Sequence, residues 1–426
     1  MRVFSMGAAS LLTALSSITL VLYIETAGLA GQAKDVVLLA SAFYLMQPLL
    51  TCGASTTIFR RSKFSNLSSK YVAILSIFVM SNSAFISFFF LCIFVESESL
   101  GELFFLYTCY LVLSSFLALV NEIHRSLGKY IRLQLYSGGV QNFMVLMVLL
   151  ILEPSWEEFS IKLYLSIAVS VLAVLLLTSL GDVLISYTLA AKEKCNQDSI
   201  ELSLKGHCWL IYSGMTTSIL AYLDVFVIDY LGTPEHVISY TIAQRLISLS
   251  LAPFVFSQNF MPYAFAFAED AVRQAAARAS GVVFFLTSLV ITFSVALVMF
   301  FYFLNIASDF FALAFLALGL AGLVNVATGP SALILSLKAR AQSLGVAATM
   351  SSVVFFTLLL LAFILNSVVC VVIAVSMSSI IRNVMNYFEA QRVTSGRRLW
   401  VFPSGDVFSR FLKDLELILS EKSQKY

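Results

Sequence analysis

The chain has 426 residues, of which 60% are hydrophobic and 12% are charged, and its formal net charge at pH 7 is +2. This composition, with a mean hydropathy of +0.93, is typical of a membrane protein. The small net charge gives no sign of a nucleic-acid-binding surface, so no nucleic-acid partner is expected.

Twelve apolar runs follow one another along the chain and predict an all-α polytopic membrane protein. A bilayer core of roughly 30 Å needs about 17–25 apolar residues in a helix, and the runs are close to that length. The predicted spans are 6–24, 36–58, 71–95, 104–120, 137–152, 163–184, 207–230, 237–262, 281–303, 310–337, 344–365 and 368–386.

The basic residues predict the orientation of these spans. Of 26 Lys and Arg residues, 22 lie in the termini or in every second gap between runs. The other gaps hold only Lys34 and Lys162, and Arg245 and Arg382 lie inside runs. Because cytoplasmic loops carry the excess of basic residues, both termini are expected in the cytoplasm.

The longest polar connection between spans, 185–206, follows the sixth span and divides the chain into two sets of six. We therefore expect an N-terminal six-helix lobe at 1–184, a cytoplasmic linker at 185–206 and a C-terminal lobe at 207–386. Transporters built from two such repeats carry the substrate path between the halves, so a central cavity between the lobes is expected.

The tail, 387–426, is predicted to be cytoplasmic and to contain an amphipathic helix. Apolar residues recur there at helical spacing from Val407 to Leu419, with Arg410, Lys413 and Asp414 assigned to the opposite, polar face. Such a helix is expected to lie on anionic membrane lipid or to dock on the inner ends of the bundle or on a glycan-assembly protein.

Charged residues within the spans are the candidate functional groups. Asp224 in the seventh span and Arg245 in the eighth lie at similar depths below the outer surface. A charge inside the membrane is costly, so the two are expected either to form an ion pair or to line a polar cavity. Glu25 and Asp229, at the outer interface, are weaker candidates for the same path.

Prolines inside spans are expected to break or bend their helices, because proline lacks the backbone N–H group. Pro48, Pro253 and Pro330 are the main candidates. Broken helices at membrane depth normally face protein or a water-filled cavity, which connects these positions to a transport path.

No enzyme motif is present, so neither catalytic residues nor a metal site nor a cofactor is expected. The six cysteines are scattered without paired spacing, which gives no sign of a disulfide framework or a metal site.

The seventh and eighth spans resemble those of the polysaccharide flippase family, which includes the Wzx-type O-antigen flippases. The resemblance lies in an Asp late in one helix, a short turn with glycine, then a Tyr, a small residue and a basic residue in the next helix. Here these are Asp224, Gly232, Tyr240, Ala243 and Arg245. The family belongs to the superfamily of multidrug, oligosaccharidyl-lipid and polysaccharide exporters.

The resemblance implies two six-helix lobes that open alternately to either side of the bacterial inner membrane. The implied cargo is an undecaprenyl-diphosphate-linked oligosaccharide, flipped from the cytoplasmic to the periplasmic leaflet. Arg245 would attract the diphosphate, and Asp224, Glu25 or Asp229 would carry a coupling proton or sodium ion.

Two other functions stay open on the sequence. One is a cation-coupled multidrug antiporter of the same superfamily, in which the acidic residues matter more. The other is a membrane glycan polymerase or ligase, although such enzymes usually have a large periplasmic loop and no long outward connection is present here.

Overall fold

The computed structural model describes residues 34–42, 100–126, 138–152, 161–190, 204–258, 261–267, 269–338, 340–394 and 399–424, with a few isolated positions. The structure divides into two compact units, Met1–Glu201 and Leu202–Tyr426. The described parts of both are helical. The predicted spans 6–24 and 71–95, and most of 36–58, lie outside the described residues.

The first unit contains three long described helices in addition to the helical residues 34–42. They are α1 (Leu100–Ser126), α2 (Gly138–Leu152) and α3 (Ile161–Ala190). Helix α3 packs against both α1 and α2. The Tyr107 hydroxyl of α1 donates a hydrogen bond to the Leu39 carbonyl, which ties the helical residues 34–42 to this group.

The second unit is described almost throughout and contains the remaining helices. In chain order they are α4 (Leu204–Leu231), α5 (Pro234–Ser250), α6 (Ala252–Ser257), α7 (Met261–Phe267), α8 (Asp270–Phe303), α9 (Asp309–Thr328), α10 (Ser331–Leu337), α11 (Ala341–Leu365), α12 (Val368–Val393) and α13 (Gly405–Gln424). Helix α12 packs against α4, α9, α10 and α11, and α5 packs against α4, α8 and α9.

Seven helices among the described residues are long and apolar enough to cross a membrane. They are α1, α3, α4, α8, α9, α11 and α12, and the shorter α2 is also apolar. The expectation of an all-α polytopic membrane protein is therefore confirmed. The predicted central cavity between the lobes stays a prediction.

Two predicted spans, 237–262 and 310–337, are interrupted, each at or beside a proline that was expected to break or bend its helix. Helix α5 ends at Ser250, and Pro253 lies near the start of the following α6. Helix α9 ends at Thr328 and α10 begins at Ser331. Gly329 between them has a φ of +65°, which L side chains rarely adopt, and Pro330 lacks the N–H group needed to continue the ladder.

Several helices also extend beyond the predicted ends. Helix α3 continues to Ala190 and α4 begins at Leu204, so both ends of the predicted linker 185–206 are helical. Helix α8 has 34 residues, about 51 Å at 1.5 Å a residue, which exceeds a bilayer core of roughly 30 Å. Its first turns, before the predicted span at 281, are therefore expected to project beyond the apolar layer.

The tail docks on this projecting part of α8 and on the break between α9 and α10. The Val401 N–H donates to the Ala277 carbonyl at 3.1 Å. A Cβ on Gly281 would lie 1.7 Å from the Val401 carbonyl oxygen, so this close approach requires glycine. The Trp400 indole Nε1 donates to the Ala327 carbonyl at 2.9 Å, close to the helix break.

Helix α13 continues this docking along α8, with Phe408 packed edge-on against Phe285 at 5.8 Å between ring centroids. The assignment of Asp414 to the polar outer face of the tail helix was wrong. Asp414 is buried, and its carboxylate accepts hydrogen bonds from Nε and Nη2 of Arg278 at 2.9 Å and 2.7 Å. Asp414 faces inward, although its position is typical of the exposed face, because the Arg278 guanidinium forms two hydrogen bonds with its carboxylate.

Candidate functional site

Asp224 is fully buried in α4, and its partner is a tyrosine rather than the predicted arginine. The hydroxyl of Tyr240, on α5 and also fully buried, donates a hydrogen bond to Oδ2 of Asp224. Oδ1 of Asp224 accepts from the backbone N–H of Val225 at 2.9 Å. Both carboxylate oxygens therefore have a donor, which is the condition for keeping such a group inside an apolar helix pair.

A tight turn between α4 and α5 sets the level at which these two side chains meet. The Gly232 N–H donates to the Ile228 carbonyl at 2.9 Å, and α5 begins at Pro234. A Cβ at Gly232 would lie 2.8 Å from that carbonyl oxygen, so only glycine closes the turn without a shift. Asp224 lies about 10 Å below the end of α4, and Tyr240 lies at a similar depth in α5.

Gln244 makes a second polar contact between the same two helices, one turn along α5 from Tyr240. Its Nε2 donates to the Ala221 carbonyl at 3.3 Å. Ala221 in turn lies three residues before Asp224 in α4. One face of α5 therefore contacts both the buried acid and the backbone next to it.

The other end of this polar face opens into a cavity of about 140 Å³ bounded by α5, α9 and α12. Five uncharged polar side chains line it: Gln244, Ser248, Asn325, Ser376 and Ser379. The remaining lining is apolar, and no acidic or basic side chain lines the cavity among the residues that the structure describes. The Ser376 Oγ is buried and has no hydrogen-bond partner within the described structure.

The cavity lies near the middle of the predicted apolar layer. Gln244 and Ser248 come roughly 15–21 Å after the start of α5, and Ser376 and Ser379 roughly 12–17 Å after the start of α12. The cavity wall thus offers amide and hydroxyl groups within the predicted apolar layer, and of these Ser248 is exposed. Such groups fit a ligand that brings its own donors and acceptors.

Both breaks in the predicted spans lie beside this cavity. Leu251, where α5 ends, is one of the lining residues, and Asn325 lies one turn before the break at Gly329. Pro253 is the second residue of α6, and Pro330 precedes α10. Interrupted helices at membrane depth are tolerated where they face protein or a polar cavity, as they do here.

Of the other predicted site residues, the structure describes Arg245 and Asp229. Arg245 is half-buried on α5 and forms no ion pair with Asp224. Asp229 is half-buried in the last turn of α4. Glu25 and Pro48 lie outside the described residues.

Sequence reasoning assigned no site role to Gln244, Ser248, Ser376 or Ser379, and it named Tyr240 for family resemblance alone. A signal was present in the spacing of α5, where Tyr240, Gln244 and Ser248 recur every four residues and share one face. No such spacing pattern distinguished the serines of α12 as site residues, because serine is common in membrane helices.

No family model matches the sequence, and no curated protein matches it either. Solved structures do match over nearly the whole chain. The MATE multidrug transporter DinF-BH is 12% identical with a TM-score of 0.64, covering 93% of this chain and 95% of that one. The Vibrio cholerae MATE transporter VcmN is 13% identical with a TM-score of 0.60, covering 93% and 97%.

A third structure, an outward-facing multidrug resistance MATE family transporter of the MOP superfamily, is 13% identical with a TM-score of 0.57 and covers 92% of this chain and 95% of that one. The chain is therefore a multi-pass membrane protein with the fold of these transporters. At 12–13% identity these matches show the fold, and they do not choose among the functions left open by the sequence.

Proposed function

We propose that this chain is an alternating-access transporter that moves an undecaprenyl-diphosphate-linked oligosaccharide from the cytoplasmic to the periplasmic leaflet of the bacterial inner membrane. The observation that carries this cargo assignment is the uncharged polar cavity between α5, α9 and α12. Its amide and hydroxyl groups match the donors and acceptors of a sugar. A cationic drug would gain little from a lining without a carboxylate.

Asp224 is the proposed site of cation coupling, by a proton or a sodium ion. A cation bound to the Asp224 carboxylate would change the charge of the oxygen that accepts the hydrogen bond from the Tyr240 hydroxyl. Gln244, on the same helix face, contacts both α4 and the cavity. If cation binding shifts α5 relative to α4, the wall of the cargo site therefore shifts as well, because Gln244 lies one helical turn from Tyr240.

The second candidate is the cation-coupled multidrug antiporter, and the structural comparisons fit it better than the flippase. The matched structures are described as multidrug transporters. At 12–13% identity, these structures support the same fold for this chain and do not indicate its cargo. The cargo is therefore inferred from the chemistry of the site. In this alternative Asp224 would neutralise the cationic drug directly.

The cytoplasmic placement of both termini and of the tail remains part of the proposal. Helix α13 docks on α8 through one face, and its other face exposes Leu412, which is 69% accessible. Membrane lipid and glycan-assembly proteins are the proposed partners of that outer face, in keeping with the basic Arg410 and Lys413 beside it.

A deletion strain separates the two cargoes. We expect loss of the gene to cause lipid-linked oligosaccharide to accumulate and surface glycan to disappear, with drug susceptibility unchanged. Restoration of surface glycan by the wild-type gene, but not by the Gln244→Leu/Asn325→Leu variant, would tie the phenotype to the cavity. Increased drug susceptibility with normal surface glycan would instead establish the antiporter.

A further inference from the structure

The polar lining of the cavity continues along α12 toward its cytoplasmic end. Ser379 lines the cavity, and Arg382 and Asn386 follow it by three and seven residues. At 3.6 residues a turn, these three positions share one face of the helix. Arg382 therefore lies one turn from the cavity wall, on the same side of α12.

Arg382 and Asn386 on this face each have a buried polar atom without a hydrogen-bond partner among the described residues. The Arg382 Nη1 is buried and has no hydrogen-bond partner, and Arg382 forms no ion pair within the described structure. Asn386 is 3% exposed, and its Oδ1 is likewise buried without a partner. A snorkelling arginine would keep its guanidinium in water, so the burial of Nη1 argues against that explanation.

A second basic residue, Lys338, lies at the same end of the second unit. Helix α10, which packs against α12, ends at Lys338. Burial, and then repulsion from Arg273, lowers the pKa of Lys338. The Ser336 Oγ on α10 is another buried hydroxyl without a partner among the described residues. The guanidinium of Arg382 and the Ser336 hydroxyl, each with a buried atom that has no partner among the described residues, favour an anionic ligand.

We propose that Arg382 binds the phosphate group of a ligand whose hydroxyl-bearing part occupies the adjacent cavity. A planar guanidinium presents two parallel N–H donors, and their spacing matches two oxygens of one phosphate group. The inference rests on the proposed function and deepens it. It places the diphosphate of the cargo at Arg382, rather than at Arg245 as the family resemblance implies, and the sugar at Gln244 and Asn325.

Thermal unfolding of the purified full-length protein in detergent, titrated with inorganic pyrophosphate, with undecaprenyl diphosphate and with phosphatidylglycerol, tests this site. The variants are Arg382→Gln and Arg382→Lys. The control is Arg392→Gln, because Arg392 lies on the same helix but is exposed and paired with Glu389 at 3.4 Å. We expect both diphosphates to stabilise the wild type and the control.

Arg382→Gln is expected to be at least as stable as the wild type without a probe, because it removes a charged group whose Nη1 is buried without a partner among the described residues. Its Kd for the diphosphates should rise at least tenfold, and Arg382→Lys should recover part of the affinity. An unchanged Kd in Arg382→Gln would overturn the site, as would a wild type that binds neither diphosphate. Stabilisation by phosphatidylglycerol alone would assign Arg382 to a bilayer lipid and overturn its role in cargo binding.

Transport in proteoliposomes keeps this inference distinct from the proposed function. If the wild type translocates lipid-linked oligosaccharide and Arg382→Gln does so equally well, the anion site is wrong and the proposed function stands. If the wild type translocates none, the proposed function fails, while the pyrophosphate titration still decides the anion site.

Discussion

The Tyr240 hydroxyl on α5 donates a hydrogen bond to the Asp224 carboxylate on α4, and neither side chain is accessible to solvent. The pair joins the two helices of a tight hairpin about 10 Å below its turn. Because α5 also lines the polar cavity, a change at Asp224 that moves α5 would also move the wall of the proposed cargo site.

We expect Asp224→Asn to abolish cation-driven export while the protein still inserts and folds. The amide oxygen still accepts the Tyr240 hydrogen bond, but the amide nitrogen replaces the oxygen that accepts from the Val225 N–H, so the protein should lose about 1–3 kcal/mol of stability. Tyr240→Phe should lose a similar amount, because it leaves a buried carboxylate oxygen without its donor. Wild-type export by Asp224→Asn would remove this residue from the coupling site.

The double variant Asp224→Ala/Arg245→Ala is expected to stay inactive in complementation of a deletion strain. Recovery would require that the two residues form an ion pair, so that removing both leaves no lone charge. Asp224 instead bonds Tyr240 and Val225. Recovered export in the double variant, with both single variants inactive, would show that the two residues pair during the transport cycle.

Replacing Gln244 tests the cavity and its link to α4 together. Gln244→Leu removes the hydrogen bond to the Ala221 carbonyl and one amide from the lining. A lost hydrogen bond of about 1 kcal/mol predicts a roughly fivefold rise in the apparent Kd for lipid-linked oligosaccharide. The control is Gln342→Leu, an exposed glutamine on α11. Equal effects of the two variants on binding would argue against a cargo site in this cavity.

The docking of the tail on α8 makes a separate prediction about stability. In Gly281→Ala the new methyl group would overlap the Val401 carbonyl, so the tail must move, at an expected cost of about 1–3 kcal/mol. Gly181→Ala is the matched control, since nothing lies within 4 Å of a Cβ at that helical glycine. The control should be neutral or stabilised by up to about 1 kcal/mol. Protease cleavage between 395 and 405 should increase in Gly281→Ala alone.

The membrane class and most of the described spans could be predicted from the sequence because hydropathy and span length depend on composition alone. The breaks were harder. Pro253 and Pro330 were recognised as helix-breaking residues, but both runs were still drawn as single spans. An unbroken apolar run does not show that α9 ends at Thr328, because the break depends on the positive φ of Gly329.

The site was predicted in part. Asp224 was singled out because a charge inside a span needs a partner, and it is indeed buried and hydrogen-bonded. The partner could not be chosen from the sequence, because the depth of each residue depends on where the helices begin and the direction of its side chain depends on the helix rotation. Tyr240 lies about 9 Å into α5, level with Asp224, and Arg245 lies about 17 Å into it. Asp414 shows the same limit, because its partner Arg278 is 136 residues away along the chain.

Translocation of lipid-linked oligosaccharide by the purified protein in proteoliposomes, under an imposed proton or sodium gradient, tests the proposed transport function most directly. We expect the wild type to move an undecaprenyl-diphosphate-linked glycan between leaflets faster with the gradient than without it. Asp224→Asn should show no gradient dependence. Failure to move this lipid, together with gradient-driven movement of a cationic drug by the same vesicles, would contradict the account and establish the multidrug antiporter.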